Sequence, residues 1–232
     1  LAELPNPITG KGNALSEPKL DYIVVKYPRW PFEKFPTANI QLGTQMKSVG
    51  EVMAIGRTFD EALMKGLGAR EDGRDGIFDD AIAALSLDDL RHLLQVPNPD
   101  RVFAIVPALD RGLTVQEVVG LTQMDPWFIN EIDALRGLRD RVAGMRLDDV
   151  DAPLMRGLKR AGFRDSLIGR LLHPRVGEMT VRKRRKELGV LPVYSRVDTC
   201  AAEFATSTAY LYSSYEDECE ANPSDRKKIM VL

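Results

Sequence analysis

The chain has 232 residues, 44% of them hydrophobic and 28% charged, and its formal net charge is -2. That length accommodates one or two domains with a real apolar core, and the composition is that of an ordinary globular chain. The charge balance supplies no global positive field for nucleic acid, no apolar run reaches the roughly 20 residues that span a bilayer, and LAELPNPITGKG at the start lacks the basic-then-apolar order of a secretory signal. Cys200 and Cys219 form no disulfide framework and fit a reducing cytoplasm. With only His92 and His173, a histidine-rich metal site is excluded by count. A start at Leu1 rather than Met suits a fragment or a processed chain.

Residues 1–19 are rich in Pro, Asn and Gly and read as loop. Tyr22 to Lys26 is a β-branched run that predicts a short strand stopping at Pro28. Thr44 to Ile55 is apolar but broken by Gly50, which fits two short strands or a strand and a loop. Thr58 and Glu61 have capping-box spacing, so a helix is expected from Phe59 to about Leu67. The polar break AREDGRDG at 69–76 marks the expected domain boundary.

Beyond it the reading is almost all helix. Ser86 with Asp89 opens a helix bearing Leu87, Leu90, Leu93 and Leu94. Val102, Phe103, Val106 and Leu109 recur at helical spacing, with Pro107 expected to kink or delay that helix. Thr114 and Glu117 make a second capping box. Asp125-Pro126 sets a cap before a proline at the first helical position. The long helix that follows, to Val142, is expected to bury Phe128, Ile132, Leu135 and Leu138. Asp151 opens a helix carrying Leu154, Met155 and Leu158, ended by Gly162. Ser166–Leu172 and Thr180–Leu188 complete about seven helices, which predict a compact all-α domain. The last forty residues are Ser/Thr/Tyr-rich, then acidic, and end in IMVL, which reads as the start of a buried parallel strand cut off before its continuation.

The residues that invite chemistry have plainer readings. Cys200 lacks an identifiable base and reads as a buried small hydrophobe. Arg182-Lys183-Arg184-Arg185-Lys186 follows a helix–turn–helix-like stretch and offers the alternative of a nucleic-acid-binding helical domain. Five consecutive cations wind around a helix, however, so a solvated face or an acidic neighbour suits them better. Glu216, Asp217, Glu218 and Glu220 do not share one face as a cation site would require. Tyr210, Tyr212 and Tyr215 read as packing residues, and GLGARED at 66–72 is no phosphate loop. No nucleophile, base and anion cradle converge, so the residues alone describe a structural or binding domain.

Three stretches carry a specific resemblance: DYIVVKYPRWPFEKFPTAN (21–39), TQMKSVGEVMAIGRTFDEAL (44–63) and RVDTCAAEFATSTAYLYSSYEDECEANPSDRKKIMVL (196–232). Together, with MDPWFINEID (124–133) between them, they resemble the large subunit of carbamoyl phosphate synthetases. The resemblance implies a mainly α segment, a helical oligomerisation domain flanked by truncated α/β pieces. Residues 1–70 resemble the tail of a first ATP-grasp unit, 71–190 the oligomerisation domain, and 191–232 a connector with the first strand of a second unit.

For this segment the resemblance implies no catalytic, cofactor-binding or metal-binding residue. Glu51, Lys47 and Met46 are its candidates for lining a carbamate tunnel, and Glu51 is expected to be buried beside a group such as Arg57. The implied parent is a cytoplasmic ligase of arginine and pyrimidine biosynthesis. It would use ATP, Mg2+ or Mn2+, and K+. The implied partners are the flanking ATP-grasp units, a glutaminase small subunit or fused domain, and further copies in a homo-oligomer. Neither nucleic acid nor membrane is among them.

Overall fold

A computed structural model describes every residue except 1, 8, 9, 14, 16, 18, 202–204, 207 and 232. The backbone divides into two compact units, Ile23–Val190 and a second formed by Leu1–Tyr22 with Leu191–Leu232.

The larger unit begins with an antiparallel hairpin of β1 (Ile23–Arg29) and β2 (Gly50–Gly56), in register Val25↔Ala54 and Tyr27↔Val52. β1 continues through Pro28, where the sequence predicts a stop. A two-stranded sheet is all edge, so a proline without an N–H is tolerated there. The apolar stretch from Thr44 resolves as a loop followed by one strand starting at Gly50.

α1 (Phe59–Gly68) covers one face of the hairpin. Thr58 caps it by accepting from Glu61 N at 3.2 Å. Glu61 does not complete the expected box. Its carboxylate accepts from Arg57 N at 2.7 Å and pairs with Lys65 at 2.7 Å, because it is buried between the helix and the strand end.

Eight short helices follow among the described residues: α2 (Asp80–Ala83), α3 (Leu87–Gln95), α4 (Ile105–Asp110), α5 (Val115–Thr122), α6 (Pro126–Val142), α7 (Ala152–Arg160), α8 (Asp165–Leu171) and α9 (Glu178–Glu187). Most start where a side chain satisfies a free N–H of the first turn. Asp79, Ser86, Asp125 and Asp151 accept from Ile82, Asp89, Trp127 and Leu154 respectively. At Thr114 both halves of the capping box form, with Thr114 N donating to Glu117 at 2.7 Å. Pro107 is the third residue of α4, where a missing N–H costs no helical bond, and a 3-10 turn at Arg101–Ala104 leads into it. Gly162 takes φ +81 just after α7, and a Cβ there would lie 2.7 Å from Met64 Cβ.

The core is built from Leu90, Leu94, Phe103, Ile129, Leu135, Met155, Leu158 and Phe163, all fully buried. α6 is rotated from the expected face. It buries Ile129, Ile132, Leu135 and Val142, while Phe128 is exposed and Leu138 half-buried. The fold is thus mainly α with small β-hairpins, as the sequence predicts.

In the smaller unit, β3 (Val193–Arg196) pairs antiparallel with β4 (Leu211–Ser214), a hairpin that the composition of this stretch does not announce. The Tyr22 ring lies 5.8 Å from that of Tyr212, and the Tyr22 hydroxyl donates to Asp198 O at 3.0 Å. Residues 229–231 are exposed and in no strand, contrary to the buried strand expected there. Among the described residues no strand pairs with them.

Candidate functional site

Met46 and Lys47 occupy the loop that enters β2, and Glu51 is the second residue of that strand. The Lys47 ammonium donates to two backbone carbonyls, Asn39 O at 2.9 Å and Gln41 O at 2.6 Å, and so closes the 39–47 loop. Lys47 also lines an open, largely apolar groove of about 420 Å3 with Pro31, Phe32, Phe35 and Val49. Met46 is exposed. Glu51 is exposed as well, which corrects the expectation of a buried carboxylate. It stands on the uncovered face of the hairpin and pairs with Lys26 Nζ at 2.7 Å.

The hairpin is fastened to the helices by an arginine that the sequence hides in its polar break. Arg70 is buried, with its guanidinium 4.9 Å from the Tyr27 ring centroid and 5.3 Å from that of Phe103. Its Nη2 pairs with Asp72 at 2.6 Å, and the two ring faces cover the remaining N–H groups. Arg74 lies 4.2 Å from the Phe103 ring centroid and pairs with Asp79 and Asp100. Burial pushes the Tyr27 phenol up to about 12, with Arg70 opposing.

The basic run 182–186 is divided by the winding of α9. Arg182, Lys183 and Lys186 are exposed, Arg184 is half-buried, and Arg185 points into the core. There Arg185 and Lys159 converge on Asp165, with Lys159 Nζ–Oδ1 at 2.8 Å and Arg185 Nη2–Oδ2 at 3.0 Å. Their remaining donors reach Phe163 O and Val190 O. Burial would raise the Asp165 carboxyl, but the bonds from Lys159 and Arg185 outweigh it and hold the group below the usual carboxylate range. Burial depresses the Lys159 ammonium against the pull of Asp165. The periodicity of the run gives no hint of this split, because the partner lies twenty residues away.

The other sequence candidates stay apart. Cys200 is half-exposed rather than buried, with Thr199 Oγ1 3.9 Å away. Tyr212 is buried, whereas Tyr210 is exposed. Glu220 fastens its own segment to β3 by accepting from Arg196 N, and its N–H donates to Tyr194 O at 2.7 Å. Among the described residues no group of three or more His, Cys, Asp or Glu side chains could hold a metal ion, and no helix is long and apolar enough to cross a membrane. What the geometry provides is rigid packing and surfaces.

Known proteins agree with a structural role. Residues 51–189 match the family model described as carbamoyl-phosphate synthetase large chain, oligomerisation domain. Over its whole length the chain is 50% identical to the carbamoyl phosphate synthase large chain of Xanthomonas axonopodis pv. citri, across 236 aligned residues. It is 51% identical to that of Pseudomonas aeruginosa across 239 residues and 48% identical to that of Xylella fastidiosa across 236. It spans 22% of the length of each of these relatives. The chain therefore belongs to the carbamoyl-phosphate synthetase large chain family, and its helical part is that family's oligomerisation domain.

Proposed function

We propose that this segment is the self-association and spacer domain of a longer ATP-dependent ligase that makes carbamoyl phosphate. The observation that supports this best is the oligomerisation-domain match, which falls wholly inside the single compact unit Ile23–Val190. In the proposed division, residues 1–70 are the tail of a first ATP-grasp unit, 71–190 the oligomerisation domain, and 191–232 the connector and, once the parent supplies neighbouring strands, the first strand of a second unit.

The parent reaction we propose takes bicarbonate, glutamine-derived ammonia and two ATP, in the cytoplasm. One ATP activates bicarbonate as carboxyphosphate, ammonia displaces phosphate to give carbamate, and the second ATP phosphorylates carbamate. ATP, Mg2+ or Mn2+, and K+ serve the flanking units, and a glutaminase subunit or fused domain supplies ammonia. No step of this reaction is assigned to the residues of this segment. Carboxyphosphate and carbamate are both labile in water, so an enclosed route between distant sites protects them. A packed helical spacer helps keep such a route aligned.

Glu51, Lys47 and Met46 are our candidates for lining that route. The groove beside Lys47 and the tethering of its ammonium to the 39–47 loop favour the reading. In the full-length enzyme, Glu51→Ala should raise the ATP hydrolysed per carbamoyl phosphate formed while each half-reaction persists. An unchanged ratio would remove Glu51 from the route.

The self-association reading is tested by sedimentation equilibrium of the 232-residue chain over a wide concentration range. A reversible rise in mass supports it, and a monomer throughout refutes self-association by this segment.

A further inference from the structure

Within the unit Ile23–Val190, α1 lies between the β1–β2 hairpin and the helical core. Its hairpin side is close-packed. A Cβ at Gly56 would stand 2.9 Å from Ala62 N, and one at Gly66 would stand 3.5 Å from Ala54 Cβ and 3.9 Å from Val25 Cγ1. Lys65 Nζ donates to Ile55 O at 2.9 Å, and Glu61 accepts from Arg57 N at 2.7 Å. The end of β2 is thereby fixed to α1, and Glu51 belongs to that same strand.

The core side turns on Met64, which is 1% exposed. Its thioether end occupies the space that a side chain at Gly76 would need: a Cβ there would stand 2.6 Å from Met64 Cε and 2.9 Å from Sδ. At Gly162 a Cβ would stand 2.7 Å from Met64 Cβ. The two glycines take φ +111 and +81, in the region that glycine alone enters without penalty. They come from separate segments, the turn before α2 and the turn between α7 and α8. Arg164 locks the same corner. It lies across the last turn of α1, 3.1 Å from where a Cβ at Gly68 would stand, and reaches Asp75, next to Gly76, at 3.4 Å.

This seat is internal. Residues of the chain itself close over Met64, so the seat does not depend on what the rest of a longer protein places against the surface.

We propose that Met64 is a positioning residue for the carbamate route. Seated between Gly76 and Gly162, it sets where α1 stands against the helical core, and through α1 it sets where β2 and Glu51 stand. The proposal rests on the reading of Glu51 as a lining residue and adds what holds that residue in place. A close-packed interior transmits a displacement instead of absorbing it, so an emptied seat shifts α1 and the strand bonded to it. Carbamate that escapes a misaligned route reacts with water to give bicarbonate and ammonia. The ATP already used to make it is then lost.

The full-length enzyme tests this through the ATP hydrolysed per carbamoyl phosphate formed, measured well below the melting temperature. Met64→Ala should raise that ratio about twofold or more while each half-reaction persists. Met64→Leu, which keeps the volume, should restore it. Met64→Val keeps part of the volume and should give an intermediate ratio, and it serves as the test if Met64→Ala does not fold. Leu94→Ala, an equally buried truncation on α3 outside the seat, should lower stability and leave the ratio unchanged. An unchanged ratio in the Met64 variants, or an equal rise in Leu94→Ala, would overturn the positioning role. If Glu51→Ala raises the ratio and the Met64 variants do not, the seat is refuted and the lining role of Glu51 stands. If the Met64 variants raise it and Glu51→Ala does not, Glu51 leaves the route and Met64 positions other residues of β2.

Discussion

Asp165 and Arg185 meet in the core, with Arg185 Nε 3.1 Å and Nη2 3.0 Å from the same carboxylate oxygen. Arg185 is 3% exposed and Asp165 and Lys159 are each 7% exposed, so water contributes little to their solvation. Asp165→Asn would leave two buried cations without a counter-charge. The expected loss is about 3–5 kcal/mol, read as a lower urea midpoint with an unchanged m-value. Replacing all three residues by apolar ones of similar size should recover most of it, because desolvating charge offsets much of what an ion cluster contributes. Retained instability in that triple variant would mean that the cluster is a net stabiliser.

The same carboxylate sets an acid limit. Its folded value lies below the unfolded value of about 3.9. The stability it contributes is therefore fully present above the unfolded value and is lost as pH falls through the folded one. Unfolding free energy measured between about pH 5 and pH 2 should fall in the natural chain and fall less steeply in Asp165→Asn.

Asp60 behaves in the opposite sense. Burial, then the nearby Glu131 charge, raises its carboxyl to about 6, and its Oδ1 is buried without a hydrogen-bond partner among the described residues. A raised folded value means that stability is greatest below the unfolded value of about 3.9 and declines as pH rises through about 6. Asp60→Asn should stabilise the chain by about 1 kcal/mol at pH 8, after allowance for solvent screening of a partly exposed group. Thermal melts at pH 8 and pH 4 should show the gain at the first and none at the second.

Arg70 holds the hairpin to the helices by stacking on Tyr27 and Phe103. Arg70→Ala should cost about 2 kcal/mol or more, and Arg70→Lys should rescue little, since an ammonium cannot lie flat between two rings. Hydrogen exchange should accelerate across residues 23–29 and 50–56 before it does in α6. Uniform acceleration would contradict a local role.

Gly162 takes φ +81, and a Cβ there would also approach Glu61 O to 3.1 Å. The left-handed penalty and the collision with the α1 backbone together predict about 2–5 kcal/mol of destabilisation for Gly162→Ala. Chemical denaturation measures it directly.

The starts and ends of the helices were legible in the sequence because their causes are local. Thr58, Ser86, Thr114, Asp125 and Asp151 each cap an N–H two or three residues ahead, and Gly162 ends a helix by its own backbone freedom. The mainly α class followed from these signals, and the family from long runs of specific residues. Tertiary structure alone decided that α6 turns Ile129 inward and Phe128 out, that Arg185 is a core residue within a basic run, and that β3 finds β4. It also decided that Glu51 faces solvent, and it brought Arg70 between two rings from different segments. These outcomes depend on partners far along the chain, such as Asp165 for Arg185, Lys26 for Glu51 and Phe103 for Arg70. Periodicity reports that a side chain is apolar or charged. Which face of its element is covered is set by the neighbour that packs there, and only the folded chain supplies that neighbour.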